Sequence, residues 1–417
     1  MSLNIKVAVF IVIFLIAIIY LAHENSGSQT KIAQEIIEEI NENGEAKIIV
    51  VLNENVTEKG FLGFGKREEE VNIDEVEKLI GQERIENEFS SFKGFSVEVT
   101  ELELEQLEKD SRVKTIEFDK PVQAFMQESV GIVNATTIWQ NQIKDINLTG
   151  KDEAICIIDT GVNYNHPDFG SCTQNDFISG NCRVVSGFDF VNDDNNSIDD
   201  NGHGTHVAGS AAANGLIKGI APEAKLVALK VLDSSGSGLS SDIIAAIDWC
   251  VENSSTYNIS VISLSLGVDC DITPSGCYSN YCDSSETSFS SSINKAIQKN
   301  ISVVVATGND FNKTHISLPS CIKNATRVAA SSKADVFVGF SNRGNFQILV
   351  SPGLNINSTY LATYTILSGT SMAAPQVAGA FALLRQFKKL EKNQTLKPSE
   401  IENALNSTGK IVNDEGT

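Results

Sequence analysis

Apolar residues form short, near-continuous runs separated by amphipathic stretches from about residue 150 onward. Such runs are typical of strands covered on both faces of a parallel sheet. They occupy 154–158, 226–231, 259–266, 301–306 and 327–330, and helical spacing of apolar residues predicts helices over 242–251, 288–298 and 372–387. The pattern predicts an α/β domain of three layers with a mostly parallel sheet. Sheets of this kind bind ligands at the carboxyl ends of their strands.

A second pattern, with shorter elements, covers residues 31–125. Thr100 and Glu103 form a capping-box signature, which predicts that a helix begins there. The other predicted elements are strands at 46–52, 94–100 and 113–118 and a helix at 72–82. The order β-α-β-α-β predicts a small α+β unit whose sheet carries its helices on one face.

The amino-terminal residues have the pattern of a targeting segment. Lys6 precedes an uninterrupted apolar run of 16 residues, 7–22, and polar residues follow it. This run is longer than the usual core of a signal peptide and shorter than the roughly 20 residues of a membrane-spanning helix. A signal peptide within 1–25 and an uncleaved anchor that tethers the protein through 7–22 both stay open. Either one predicts an exported protein, secreted or anchored with its main domain outside.

Charge separates the two regions and excludes one class of partner. The chain of 417 residues has 32 basic and 53 acidic side chains, a net charge of −21. Residues 31–125 hold 12 basic and 24 acidic side chains, net −12, so a composition boundary lies near 125. Because phosphate binding needs clustered Lys and Arg, this acidic chain is not expected to bind nucleic acid.

Two weaker signals agree with export. There are 8 cysteines, an even number, and several lie in polar stretches that are expected to be surface loops, as in oxidising compartments. Twelve Asn-X-Ser/Thr motifs run from Asn55 to Asn406. The composition predicts about six of these acceptor motifs by chance, so the excess suggests a glycosylated protein.

Reactive side chains occur where strands and helices are expected to meet. Asp159 ends the buried strand 154–159, and His203 and Ser371 each stand at the start of a predicted helix. A serine hydroxyl becomes a nucleophile beside an imidazole base that a buried carboxylate orients. The amide groups and positive dipole end of a helix start suit a developing oxyanion. Asn309 ends another strand, and its side-chain amide could donate to the oxyanion together with the backbone N–H of Ser371.

Each of these residues has an alternative interpretation. Asp159-Thr-Gly also fits an aspartic protease, but that mechanism needs a second such motif and the sequence has none. His203 and His206 could bind a metal, although no further His or Cys clusters with them nearby, and His206 is better explained as a structural residue. Ser371 alone could simply cap its helix. Taken together, the motifs favour a nucleophilic serine.

The three motifs resemble those of the subtilisin-like serine proteases (subtilases, peptidase family S8). They are Asp-Thr-Gly at Asp159, Gly-His-Gly-Thr-His-Val-Ala-Gly around His203 and Gly-Thr-Ser-Met-Ala-Ala-Pro around Ser371, in the Asp, His, Ser order of a subtilisin. The resemblance covers about 130–410 and implies Asn309 as the oxyanion donor. Residues 31–125 resemble the family's inhibitory, chaperone-like propeptide, which implies a ferredoxin-like fold. The implied division is 1–25 targeting segment, 31–125 propeptide and 126–417 peptidase domain.

The resemblance also implies where a polypeptide substrate binds. Two segments would sandwich an extended peptide as an added strand, and a third would form a wall of the pocket for the residue before the cut. The implied residues are Gly236, Ser237 and Gly238, then Ser265, Leu266 and Gly267, and for the wall Ala306, Thr307 and Gly308. Val268 occupies a position that is often small in relatives. Since few charges line these segments, the pocket is expected to take a large apolar residue.

An acidic loop before His203 suits Ca²⁺, which prefers densely packed oxygen ligands. It resembles the calcium loop of thermitase-type relatives, and the implied ligands are Asp189, Asn192, Asp194 and Asn196. A solvated acidic loop is the alternative.

The disulfide pattern implied by relatives links Cys270 with Cys321. Cys172–Cys182 and Cys277–Cys282 would then close local loops, and Cys156 and Cys250 would be free thiols.

The sequence therefore predicts an exported serine endopeptidase that acts on polypeptides and is made as a self-processing proenzyme, with its own propeptide as inhibitor. The competing class is a non-catalytic binding module that keeps the fold. Residues 406–417 stop where relatives usually continue, so a fragment or a shortened member is expected.

Overall fold

The computed structural model describes residues 34–59, 66–81, 84–124, 135–270 and 272–412. The predicted targeting segment lies outside these residues. Among the helices that are described, none combines the length and the apolar character needed to cross a membrane.

The amino-terminal unit is an α+β sandwich with one four-stranded antiparallel sheet. Its strand order is β4-β5-β1-β6. The elements are α1 (Gln34–Asn43), β1 (Glu45–Leu52), β2 (Asn55–Lys59), β3 (Lys66–Glu70), α2 (Ile73–Glu77), β4 (Ile85–Glu88), β5 (Gly94–Thr100), α3 (Glu101–Lys109) and β6 (Val113–Phe118). The capping box at Thr100 is present. The hairpin β2–β3 was not predicted from the sequence.

The sheet of this unit has two buried faces, because alternate side chains of a strand point to opposite sides. Ile48 and Val50 join the unit's own core, together with residues of its helices. Ile49 and Val51 belong instead to a cluster that contains residues of the larger domain. The unit therefore shares one apolar layer with its neighbour.

The larger domain contains a seven-stranded, fully parallel sheet in the order β11-β12-β10-β14-β17-β19-β20. Its strands are β10 (Ala154–Asp159), β11 (Val184–Asp189), β12 (Lys225–Lys230), β14 (Ile259–Leu264), β17 (Ser302–Ala306), β19 (Thr326–Ser331) and β20 (Leu349–Pro352). Helices α6 (His203–Ala212) and α10 (Thr370–Lys392) contribute to the core on one face, and α7 (Ser240–Glu252) and α9 (Thr287–Gln298) to the core on the other. The predicted three-layer α/β fold is confirmed.

Smaller elements complete the described structure; the first of them, β7, ends the amino-terminal unit, and the others belong to the larger domain. They are β7 (Pro121–Ala124), α4 (Thr136–Trp139), β8 (Gln142–Ile143), β9 (Ile146–Asn147), α5 (Gln174–Ile178), β13 (Ser237–Leu239), α8 (Ser254–Tyr257), β15 (Leu266–Gly267), β16 (Cys277–Tyr278), β18 (Ile316–Ser317), β21 (Ile356–Tyr360), β22 (Thr363–Leu367) and α11 (Pro398–Thr408).

Carboxylates of the amino-terminal unit cap two helices of the larger domain. Asp119 accepts a hydrogen bond of 2.8 Å from the backbone N–H of Ser241, at the start of α7. Glu117 accepts one of 3.2 Å from the backbone N–H of Thr287, at the start of α9. A buried ion pair, Lys120 Nζ to Glu286 at 2.9 Å, lies between them. The amino ends of both helices, which carry partial positive charge, thus receive their acceptors from the other unit.

Four disulfides are present, and three differ from the implied pattern. Cys172–Cys182 is confirmed. The predicted bridges Cys270–Cys321 and Cys277–Cys282 are wrong. Cys270 pairs instead with Cys277, with their Cα atoms 5.6 Å apart, and Cys282 pairs with Cys321, with their Cα atoms 5.5 Å apart.

The assignment of Cys156 and Cys250 as free thiols is also wrong. Cys156 lies on the face of β10 that α7 covers, and Cys250 lies on the buried side of that helix, so the two side chains meet in the core and form a disulfide.

Candidate active site

Asp159 and His203 are joined by a hydrogen bond at the carboxyl edge of the sheet. Asp159 is the last residue of β10, and its Oδ1 lies 2.7 Å from His203 Nδ1. The same oxygen accepts a hydrogen bond of 2.8 Å from the backbone N–H of Thr160. Both side chains are fully buried, so the carboxylate orients the ring in a setting of low dielectric constant.

Thr160 connects the strand of Asp159 to the helix of His203. Its hydroxyl donates to Asp199 Oδ1 at 2.9 Å and accepts from the backbone N–H of Gly204 at 2.8 Å. A Cβ atom at Gly204 would lie 2.1 Å from the carbonyl oxygen of Gly161, so only glycine allows this close approach.

Asp199 caps the helix of His203. Its carboxylate accepts hydrogen bonds from the backbone N–H groups of Asn201, Gly202 and Thr205 at 2.8–3.0 Å. Burial raises the pKa of Asp199, and these hydrogen bonds oppose that effect. This role was not predicted from the sequence, because Asp199 lies three residues before the N-cap residue Gly202 and not at the N-cap itself.

Lys230 is a second residue that sequence reasoning missed. It ends β12 and is almost fully buried, and its Nζ donates to the carbonyl of Thr160 at 3.1 Å and to Asp200 Oδ1 at 2.7 Å. The available signal was a lysine inside the otherwise apolar run 226–231, because a buried cation needs partners.

Ser371 lies at the start of α10, which packs against α6. Its hydroxyl donates to the carbonyl of Ser265 at 2.9 Å, and the hydroxyl of Ser265 donates back to the carbonyl of Ser371 at 2.9 Å. Ser371 is therefore held at the end of β14, next to the segment that was predicted to bind substrate.

The side chain of Asn309 has a fixed orientation, and its amide nitrogen is available as a hydrogen-bond donor. Its Oδ1 accepts hydrogen bonds from the backbone N–H of Thr370 at 2.9 Å and from the Thr370 hydroxyl at 3.1 Å. Its buried Nδ2 has no acceptor within the described residues. Because a buried donor without an acceptor costs about 1–3 kcal/mol, this amide suits an oxygen that arrives only during a reaction.

The two predicted substrate segments already hold a strand of the same chain. β7 pairs antiparallel with β13 on one side and with β15 on the other. Val122 is opposite Gly238, Gln123 is opposite both Ser237 and Gly267, and Ala124 is opposite Leu266.

Gly238 allows close packing beneath this three-stranded sheet. A Cβ atom there would lie 2.1 Å from the carbonyl oxygen of Val231. Gly236 forms the tight turn before β13, with φ at 82°. The backbone of these two segments thus pairs with an extended segment of the same chain.

The predicted pocket wall begins at the end of β17, whose last residue is Ala306. Thr307 is buried, and its hydroxyl donates a hydrogen bond of 2.8 Å to the carbonyl of Asn342. Gly308 has a φ angle of 105°. The side chain of Val268 faces Gly276, whose Cβ atom would lie 2.3 Å from it.

His206 is buried one turn after His203. Its Nε2 lies 3.0 Å from the carbonyl of Ile356. Burial, together with the nearby His203, lowers its pKa to about 3, so the ring is neutral. Within the described part of the chain, no group of three or more His, Cys, Asp or Glu residues could hold a metal ion.

The acidic loop is held by its own hydrogen bonds. Asp189 accepts from the backbone N–H groups of residues 191 and 192 and, through Oδ2, from the side-chain amide of Asn192 at 2.8 Å. Asp194 exchanges backbone hydrogen bonds with Asp189, and Asn196 Oδ1 accepts from the hydroxyl of Tyr164 at 2.7 Å. The four residues thus lie in one loop with oxygen donors of the kind that Ca²⁺ prefers.

Comparison with known proteins agrees with this geometry. Residues 150–416 match the Subtilase family (Peptidase S8), and residues 47–125 match Peptidase inhibitor I9. Alkaline serine exoprotease A of Vibrio alginolyticus is 32% identical over 342 residues, which span 78% of this chain and 58% of that protein. An alkaline protease of Alkalihalobacillus alcalophilus is 33% identical over 373 residues, which span 85% of this chain and 87% of that protein. The crystal structure of a cold-adapted subtilisin-like serine proteinase matches with a TM-score of 0.54 and 32% identity, over 69% of this chain and 95% of that one.

Proposed function

The chain belongs to the subtilase family of serine proteases, with a peptidase inhibitor I9 domain before the protease domain, and we propose that it is an exported, self-processing proenzyme in which Asp159, His203 and Ser371 cleave peptide bonds. The observation that carries the proposal is the strand β7, bound in the cleft next to the residue that holds Ser371. The division at 1–25, 31–125 and 126–417 is part of this proposal.

In the proposed mechanism, Ser371 attacks the carbonyl carbon of the bound peptide. His203 donates from Nδ1 to Asp159, which leaves Nε2 to take the serine proton and then pass it to the leaving amine. Asp159 stabilises the imidazolium that forms. The Nδ2 of Asn309 and the backbone N–H of Ser371 stabilise the oxyanion.

The register of β7 predicts which bond is cut first. Ala124, the last described residue of this segment, is opposite Leu266, which directly follows Ser265, the residue whose carbonyl accepts the hydroxyl of Ser371. Residues 125–134 themselves lie outside the described part of the chain. We infer self-cleavage after Phe125, whose large apolar side chain suits the pocket expected from the sequence, with Met126 as the first mature residue.

Self-cleavage is tested with Ser371→Ala. The variant should accumulate as uncut proenzyme, whereas the wild type should yield a mature chain that begins at residue 126 by amino-terminal sequencing. Cutting of purified Ser371→Ala at that junction, with no other protease present, would rule out processing by this triad.

Catalysis is separated from mere peptide binding by an active-site probe. A fluorophosphonate should label wild-type protein at Ser371 after processing. Ser263→Ala, which removes another buried serine hydroxyl from the same region, should label equally well. A non-catalytic binding module would show no labelling at Ser371 although β7 or a peptide still binds.

Export rests on the apolar run 7–22 and on the four disulfides, which persist in oxidising compartments. Uncut Ser371→Ala proenzyme in the culture medium, beginning after residue 22, would support a cleaved signal peptide. Ser371→Ala proenzyme that sediments with membranes and still contains residues 7–22 would indicate the anchor instead.

We also propose that the acidic loop binds Ca²⁺ through Asp189 and Asp194, supported by Asn192 and Asn196, with a structural role. Chelation with EDTA should lower the melting temperature of Ser371→Ala, and added Ca²⁺ should restore it. The same melting temperature with and without EDTA would leave the loop as a solvated turn.

A further inference from the structure

Three Asn-X-Ser/Thr motifs occupy equivalent positions in the sheet. Asn258, Asn300 and Asn324 directly precede or begin the turns into β14, β17 and β19, which are neighbouring strands. The hydroxyl residues of the motifs, Ser260, Ser302 and Thr326, lie within those strands. Because the strands are parallel, the three asparagines lie along one edge of the sheet.

This edge is opposite the active site. The strand that follows Asn258 ends next to Ser265, which holds Ser371, and the strand that follows Asn300 leads to Asn309. Strands of five or six residues span roughly 17–20 Å at about 3.3 Å per residue. A bulky group on these asparagines would therefore not obstruct the substrate cleft.

The asparagines are accessible. All three are exposed, and Asn258 and Asn300 have left-handed φ values of 58° and 60°, which project them at turns between a helix and a strand. The side-chain amide of Asn300 makes no hydrogen bond within the described residues, although its backbone carbonyl accepts from Arg385. The amides of Asn258 and Asn324 donate to the carbonyl of Asp152 and to Asn294 Oδ1. Of the three motif hydroxyls, those of Ser260 and Thr326 donate to the carbonyl of Ala154 at 3.5 Å and to Glu402 Oε2 at 2.9 Å, so it is the Ser302 hydroxyl that the fold leaves unexplained.

The hydroxyl of the Asn300 motif does not stabilise the fold. Ser302 is fully buried, and its Oγ has no hydrogen-bond partner among the described residues. Alanine would fill the same place without burying an unpaired hydroxyl, whose cost is about 1–3 kcal/mol. The hydroxyl has a role, however, when a modifying enzyme recognises the Asn-X-Ser motif in an extended chain, before strand β17 has formed.

We propose that Asn258, Asn300 and Asn324 are N-glycosylated, and that the glycans line the edge of the sheet opposite the cleft. The donor class is a lipid-linked oligosaccharide, supplied outside the cytoplasm by an oligosaccharyltransferase, so the proposal depends on the export proposed above. The amide nitrogen of each asparagine attacks the anomeric carbon of the first sugar. The bond from that carbon to the phosphate oxygen breaks, the lipid phosphate leaves, and the amide gives up one proton to it or to solvent.

The test is peptide mass spectrometry of the mature protease purified from the organism that makes it. Peptides that contain Asn258, Asn300 and Asn324 should carry glycan masses, while the exposed Asn181, which lies in no acceptor motif, should be unmodified. Absence of glycan at all three positions would refute the proposal.

Two serine variants distinguish glycan attachment that depends on the acceptor motif from attachment by another route. Ser302→Ala removes the motif but keeps Asn300, and Ser263→Ala removes an equally buried and unpaired strand hydroxyl outside any motif. Glycan on Asn300 should be lost in the first variant and kept in the second, with peptidase activity unchanged in both. Modification of Asn300 that persists in Ser302→Ala would mean that the sugar is attached by another route, and the proposal would be wrong.

Discussion

Acid should strengthen the complex between the cleaved propeptide and the protease. Asp242, near the start of α7, faces Asn87, Glu86 and Lys47 of the propeptide, and Asp119 adds its own charge from the same side. Burial, followed by the repulsion of Asp119, raises the pKa of Asp242 to about 7 from an ordinary value of 3.8. Burial also raises the pKa of Asp119 to about 6, although its hydrogen bonds from Ser241 oppose this.

The sign and size of the effect follow from linkage. The complex binds protons that the separated chains release at neutral pH, so it is strongest below these raised pKa values and weakens as pH rises through 6 and 7. With a pKa of about 7, Asp242 alone makes binding roughly tenfold tighter at pH 6 than at pH 8, or about 1.4 kcal/mol. Asp119 strengthens binding further below pH 6, and because the two carboxyls repel each other they titrate as a pair.

The assay is the inhibition constant of the propeptide for the mature enzyme from pH 5 to 9. Each value is taken relative to the uninhibited rate at the same pH, which removes the titration of the triad. Asp242→Asn should flatten the profile and bind more tightly than wild type at pH 8, because asparagine carries no charge to bury. Asp152→Asn, at an exposed position, should keep the wild-type profile. An inhibition constant that does not change between pH 6 and 8, or that falls as pH rises, would refute the reasoning.

Three further predictions concern the active site and the core. Asn309→Ala should lower kcat by roughly 10²–10³-fold with little change in KM, because its donor acts on the transition state; steady-state kinetics with unchanged kcat would show that the oxyanion is held elsewhere. Thr160→Val should lower the free energy of unfolding by about 1–3 kcal/mol, since a capping hydroxyl is lost from a buried network; urea unfolding in the Ser371→Ala background measures this, and an unaltered value would mean that the network is not needed. Non-reducing peptide mapping should recover Cys156 linked to Cys250, and removing this bridge should cost about 2–5 kcal/mol; Cys156 recovered as a free thiol would contradict the pairing.

The parallel sheet could be predicted from the sequence because its strands are buried on both faces. The run 154–158 and the run 301–306 contain only apolar residues apart from Ser302, and a buried parallel strand needs that composition. The residues proposed as catalytic were singled out for a related reason. Each stands at the end of a strand or the start of a helix, where a local motif already specifies its surroundings.

Contacts between distant segments could not be predicted in this way. The bond between Cys156 and Cys250 depends on which face of β10 is covered by which helix, and spacing along the chain contains no such information. The capping role of Asp199 could not be predicted, because only the folded chain brings Thr160 and the start of the His203 helix to it. The hairpin β2–β3 is rich in charged residues, so it lacks the apolar alternation that predicts a strand.

The two buried faces of strand β1 affect what happens to the propeptide after the proposed self-cleavage. Ile49, Val51 and Phe89 are buried in an apolar cluster that is shared with the larger domain. A propeptide that dissociates therefore exposes this surface to water, at a cost of about 25 cal/mol for each Å² of apolar area. A domain as small as the propeptide is only marginally stable by itself. Once released, it is expected to unfold and to become a substrate of the mature protease. Each released propeptide is therefore expected to be degraded. The first mature protease molecules are expected to cleave the propeptides of the remaining proenzyme. Activation by the proposed self-cleavage is therefore expected to be irreversible.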